Sequence, residues 1–186
     1  MVCFLETAPL VSMADLRQDK GKLPKEPGVY GLFFATPPGF AETLGCLTRE
    51  GRWLMYIGTA GANMGSRSTL RNRLGDHHLG GNERRSTVCQ TLAALMPEVA
   101  GPAIARDERG KIKIHTSPQG AERLRQWMDE NIVVCWATDP RPGDVEEGLV
   151  CQYSPPLNID FSAHPFRDEL RVLRSRRRDH ARGAGP

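Results

Sequence analysis

No stretch of the chain approaches the ~20 consecutive apolar residues that cross a bilayer, so a membrane-spanning helix is not expected. Residues 1–19 lack a basic stretch followed by an apolar run, which argues against a secretory signal. The five cysteines, Cys3, Cys46, Cys89, Cys135 and Cys151, form no CxxC pair, and their odd number does not suit a disulfide framework. Free thiols in a reducing cytoplasm are the expectation. His115, His164 and His180 have no cysteine or histidine at metal-ligand spacing, which argues against zinc. The glycines between Thr59 and Gly65 are not followed by Gly-Lys-Ser/Thr, so they are no phosphate-binding P-loop. Aromatic residues are only 6% of the chain and the net charge only +3. The basic charge is local instead. Residues 167–182 carry seven arginines against three carboxylates, and Arg67, Arg71, Arg73, Arg84 and Arg85 cluster upstream. Such clusters suit attraction to a phosphate backbone, and equally suit a solvated helix face.

The 186 residues suffice for one domain with a core plus extensions. Residues 1–24 read as an N-terminal extension with a short helix near Ser12–Lys20. Residues 25–160 read as the main domain, and 161–186 as a basic C-terminal helix and frayed end. Three runs read as strands: 28–34, 53–58 and 132–137, each rich in aromatic and branched residues and bounded by turn signals. The first two are separated by a long loop, 35–52, with Pro37-Pro38-Gly39 and Gly51. A helix capped by Ser66 or Ser68 is expected to run to His78 and stop at Gly80-Gly81. Ser86 opens another helix, Ser117-Pro118 a third, and Ile112–His115 suits a short strand. A further helix carries Glu146 and ends near Ser154, ahead of Pro155-Pro156. In the tail, Phe166, Leu170 and Leu173 share one face. The expected fold is α/β, in its α+β form: a small three-stranded, mainly antiparallel sheet flanked by helices, with the C-terminal helix appended.

The chain has only three tyrosines, and two of the strands each deliver one. They lie in the tripeptides Gly28-Val29-Tyr30 and Tyr56-Ile57-Gly58. Arg73 and His77 follow on the next helix, then Glu146, then Pro155-Pro156-Leu157-Asn158. These elements, in this order, resemble the GIY-YIG nuclease superfamily over roughly residues 26–160. GVY stands for the first signature and YIG is intact. The 26-residue separation of the two tyrosines is long for many relatives. The resemblance is to small stand-alone bacterial members, with the Arg73/His77 spacing of restriction-type enzymes.

The resemblance implies a divalent-metal-dependent endonuclease acting on DNA, with Tyr30, Tyr56, Arg73, His77 and Glu146 in the site. Tyr30 would activate or orient the attacking water and Tyr56 would bond water or phosphate. Unperturbed, a phenol titrates near 10, so a base at neutral pH needs nearby positive charge. Arg73 would offer phosphate a planar donor fork, with Arg71 its competitor. His77 would donate to a phosphate or the leaving oxygen, and His78 is its stand-in. Glu146 would bind Mg2+ or Mn2+, which needs few protein carboxylates. If Asp144 is the N-cap, Glu147 sits where a capping-box partner belongs and Glu146 is free. Asn158 would contact phosphate or hold its loop. Arg71, Arg174, Arg176, Arg177 and Arg178 are the expected DNA contacts. No small-molecule cofactor is implied. A restriction-like and a repair or recombination role both fit, and the alternative is a non-catalytic nucleic-acid-binding module that keeps the fold.

Overall fold

The computed structural model describes residues 3–39, 43, 45–62, 65–108 and 111–183. Parts of three expected features lie outside these: positions 40–42 and 44 of the long loop, 63 and 64 of the glycine-rich turn, and 184–186 of the frayed end.

The chain opens with helix α1 (Phe4–Thr7), strand β1 (Val11–Ser12), helix α2 (Met13–Gln18) and a 3-10 turn (Lys20–Lys22). Strands β2 (Gly28–Phe34), β3 (Thr48–Arg49) and β4 (Arg52–Ala60) follow, then a π-helix over Arg71–His78. Next come α3 (Thr87–Leu95), α4 (Pro97–Ala100), the hairpin β5 (Ala103–Glu108) and β6 (Lys111–Thr116), and α5 (Pro118–Asn131). Strand β7 (Ile132–Thr138), α6 (Pro142–Tyr153) and α7 (Phe166–Ala181) complete the order.

The main sheet runs β1-β7-β2-β4-β3, antiparallel at every pairing, so the fold is α+β. It has five strands, not the expected three. The two additions, β1 and β3, are two residues long, too short to show a period-two pattern, and each forms against a strand already in place. Strand β2 is paired on both edges, and all seven of its residues are buried. A run with no polar alternation is what such a central strand requires.

Alternation along β2 feeds two cores. Tyr30, Leu32 and Phe34 join the larger one, which is covered by α2, the π-helix, α3, α5 and α7. Val29 and Phe33 join the smaller one with Leu5 of α1 and Val150 of α6. Met13, Leu16 and Leu23 of the N-terminal segment are fully buried in the larger core. From α7, Phe166 and Leu170 are buried there as well, with Leu173 against them.

Several helix starts follow the cap chemistry. The hydroxyls of Ser12, Ser86 and Ser117 each accept a backbone N–H of the first turn. Two starts differ. The helix expected from Ser66 or Ser68 begins only after Thr69, whose hydroxyl accepts the Asn72 N–H at 3.2 Å. The helix carrying Glu146 begins at Pro142 with Arg141 as N-cap, so Asp144 lies inside its first turn. Glu147 is then an exposed residue of the helix rather than a capping-box partner.

Candidate active site

The site lies on the larger-core face of the sheet, near the edge of β4. In the β2/β4 register Tyr30 pairs with Gly58 and Leu32 with Tyr56, which puts both tyrosines on one face as diagonal neighbours. Their ring centroids are 6.3 Å apart. Gly58 makes this possible. A Cβ there would stand 2.5 Å from Tyr30 Oη and 2.7 Å from Tyr56 Cε1. The glycine gives its space to the Tyr30 phenol. One residue earlier the register slips, leaving Met55 without a partner in β2. The freed Met55 carbonyl accepts the Leu157 N–H at 3.0 Å. Asn158 then completes the edge with its side chain. Its Oδ1 accepts the Ile57 N–H at 2.9 Å and its Nδ2 donates to the Ile57 carbonyl at 2.8 Å. Of the two roles expected for Asn158, this geometry performs the holding one, at the residue next to Tyr56.

The π-helix supplies the layer above the tyrosines. Its bonds close five residues apart, as in Leu79 N–H to Leu74 carbonyl at 3.1 Å. Five residues on from Arg73 is His78, and it is His78, fully buried, that meets Tyr30, with Nε2 2.6 Å from Oη. On its other side Nδ1 lies 2.7 Å from Ser86 Oγ, which accepts the Cys89 N–H. His77 points elsewhere, to a shallow cavity with Arg84, Arg85, Glu108 and His115. Its Nδ1 is buried with no partner among the described residues. The Arg73 guanidinium lies against both phenols and acts electrostatically on Glu146. Its Nε is buried, again without a hydrogen-bond partner among the described residues. A buried donor left without a partner carries a desolvation cost that an anion would relieve.

Glu146 approaches from α6. Its Oε2 accepts the Thr59 hydroxyl at 3.0 Å. It shares a cavity of about 100 Å3 with Tyr56, Asn158, Asp160 and Arg174. That space is large enough to admit water. The Glu146 and Asp160 carboxylates at this cavity, with the Thr59 hydroxyl beside Glu146, are hard oxygen groups of the kind that suit Mg2+. Among the described residues there is no cluster of three or more His, Cys, Asp or Glu side chains able to hold a metal ion.

The site's protonation states follow from burial. Burial, then the Tyr56 charge, pushes the Tyr30 phenol well above 10, against the pull of Arg73. Burial pushes Tyr56 up to about 12, again opposed by Arg73. His78 is held well below the ordinary imidazole range by burial, then by Arg73 and His77. Burial raises the Glu146 carboxyl, against the Thr59 hydrogen bond and Arg73. At neutral pH both phenols and His78 are therefore uncharged, and Arg73 carries the positive charge at the tyrosines.

The structure thus brings Tyr30, Tyr56, Arg73, Glu146, Asn158 and Arg174 together. It sets the other expected residues apart. Arg71 donates to the Leu23 and Gly21 carbonyls and so pins the N-terminal segment. Arg177 forms a bidentate pair with the buried Glu83 and donates to the Gly101 carbonyl. Arg176 lines an apolar groove with Ala93 and Pro97. Arg178 is exposed on α7. Thr59, Ser86 and Asp160 join the site with no local sequence signal, since only the tertiary fold brings them there.

One comparison with known proteins is informative. The family described as GIY-YIG catalytic domain matches residues 28–177, from the first residue of β2 into α7. No curated protein and no solved structure matches significantly. The match spans most of the chain, including both signature strands, the π-helix and the glutamate helix, and the chain belongs to the GIY-YIG catalytic domain family.

Proposed function

We propose that the protein is a divalent-metal-dependent endonuclease that hydrolyses DNA phosphodiester bonds. The observation that carries this reading is the buried Tyr30 phenol, held between His78 and Arg73, with its neighbour Tyr56 lining the cavity that contains Glu146. Family membership supports a nuclease.

Each residue has a chemical task. The Arg73 fork takes the phosphate oxygens and offsets charge developing in the transition state. Tyr30 Oη accepts a proton from the attacking water and passes its own to His78 Nε2, while the water oxygen bonds to phosphorus, the bond to the leaving sugar oxygen breaks, and that oxygen takes a proton from solvent. This transfer requires the tautomer in which His78 Nδ1–H donates to Ser86 Oγ, 2.7 Å away, leaving Nε2 to accept. The Arg73 charge opposes protonation of His78 in the free protein. A bound phosphate offsets that charge and so favours the transfer. Tyr56, at the cavity wall, orients water or phosphate. Glu146 would hold Mg2+ or Mn2+ with Thr59 behind it, and the ion supplies Lewis-acid neutralisation of the phosphate. A restriction-like and a repair or recombination role are both compatible with this chemistry.

The test is cleavage of supercoiled plasmid by the purified protein with Mg2+ or Mn2+ against EDTA, beside Glu146→Ala. Metal-dependent nicking that the folded variant lacks is the expected result. Full activity in Glu146→Ala overturns the assignment. Salt-sensitive binding without any cutting identifies a non-catalytic nucleic-acid-binding module instead.

A further inference from the structure

The arginines of α7 fall into groups with different surroundings. Taking 100° per residue, Arg171, Arg174, Arg178 and Arg182 at the helix end lie within a stripe about 80° wide, and Arg176 and Arg177 lie off it. From Arg171 to Arg182 the stripe runs about 16 Å. That is nearly five nucleotide steps of a DNA strand at ~3.4 Å each.

Arg174 is the junction. It lines the Glu146 cavity, and also a groove of about 670 Å3 shared with Asp160, Arg171, Ser175 and Arg178. It further lines a cleft of about 240 Å3 between α7 and the hairpin, where Lys113 and Ile114 of β6 face Arg178 and Arg182. The three spaces are joined end to end by Arg174 and Arg178.

The charge of this path is offset only in part: Asp160 lines two of the three spaces and acts electrostatically on Arg174. Arg177 is neutralised by Glu83, Arg84 by Glu108 and Arg171 by Asp168. Arg174 rests on the neutral amide of Gln90 at 2.8 Å. Lys113, Arg178 and Arg182 are exposed and have no ion-pair partner among the side chains described. Four unpaired cations thus follow one line from the Glu146 cavity to the hairpin.

We propose that this line is a phosphate track: the cleft between α7 and the β5–β6 hairpin seats the DNA backbone flanking the cleaved phosphate, with Arg174 as the link to the active site. This rests on the nuclease reading for the cleaved phosphate alone; the DNA grip is measurable without cleavage.

The experiment measures binding of the full-length protein to a labelled 20-bp DNA duplex in EDTA, from 50 to 200 mM salt. It compares the natural sequence, the triple variant Lys113→Gln, Arg178→Gln, Arg182→Gln, and a control pair at exposed positions elsewhere, Lys22→Gln with Lys25→Gln. The triple variant is expected to flatten the slope of log affinity against log salt by about 2.7, at ~0.9 per lost phosphate contact. The control pair leaves the slope unchanged, and thermal midpoints confirm that all three proteins are folded. An unchanged slope in the triple variant overturns the track. So does equal flattening in the control pair, or tighter binding of an RNA duplex of the same sequence. Failure of the nuclease reading looks different: no cleavage in Mg2+ by a protein whose binding is intact and track-dependent.

Discussion

His78 shows how much one residue's surroundings decide. Buried between Tyr30 and Ser86 and near the Arg73 charge, it stays neutral well below the usual imidazole range. In the unfolded chain it binds a proton below about pH 6.5. Between the folded and unfolded pKa values the unfolded state therefore carries more protons, and stability rises with pH. On acidification from about 6.5 this stability is lost, at up to ~1.4 kcal/mol per pH unit for one group. His78→Gln should remove that share of the slope. Urea unfolding of both proteins at pH 7.5, 6.5 and 5.5 checks it, and parallel profiles would show that His78 does not titrate on unfolding. The residue types of the site were legible in the sequence, because Tyr30, Tyr56, Arg73 and Glu146 sit in an ordered set of motifs. The choice between His77 and His78 was not. On an α-helix Arg73 and His77 share a face, whereas here the chain is wound as a π-helix, and residue composition does not carry that winding.

At the scale of elements, α7 is both a structural strut and a basic surface. Arg177 donates to both carboxylate oxygens of Glu83, with side-chain exposures of only 10% and 3%, and Thr116 donates to the same carboxylate. Removing one partner of such a pair leaves a buried charge uncompensated. Arg177→Ala should therefore cost about 3 kcal/mol or more in urea unfolding, while Arg176→Ala, at an exposed position, should stay within about 0.5 kcal/mol. Equal effects would contradict the division of the arginines. The sequence displays seven arginines in this segment without distinguishing them. The difference comes from Glu83 and Gln90, some 80–95 positions away. The same limit applies to the sheet. Strands β2, β4 and β7 were legible from their long apolar runs, whereas β1 and β3 exist only through their neighbours.

Across the whole molecule, the ends of the chain and the site are mechanically joined. The N-terminal segment buries Met13, Leu16 and Leu23 in the larger core, and Arg71 ties it to the π-helix that carries Arg73 and His78. The C-terminal helix closes the same core and brings Arg174 to the Glu146 cavity. The cluster of Tyr30, Tyr56, Arg73 and His78 is thus held from three directions: the β2/β4 pairing with its Gly58 clearance, the π-helix, and the Leu157-Asn158 edge. None of the described helices is long and apolar enough to cross a membrane. All of this converges on one atom, the Tyr30 oxygen. The most direct measurement is the rate of plasmid nicking in Mg2+ by Tyr30→Phe against the natural sequence, with both proteins shown to be folded. The account predicts a loss of about 100-fold or more, the usual scale for a group that moves a proton in the transition state. Nicking by Tyr30→Phe at the natural rate would contradict it.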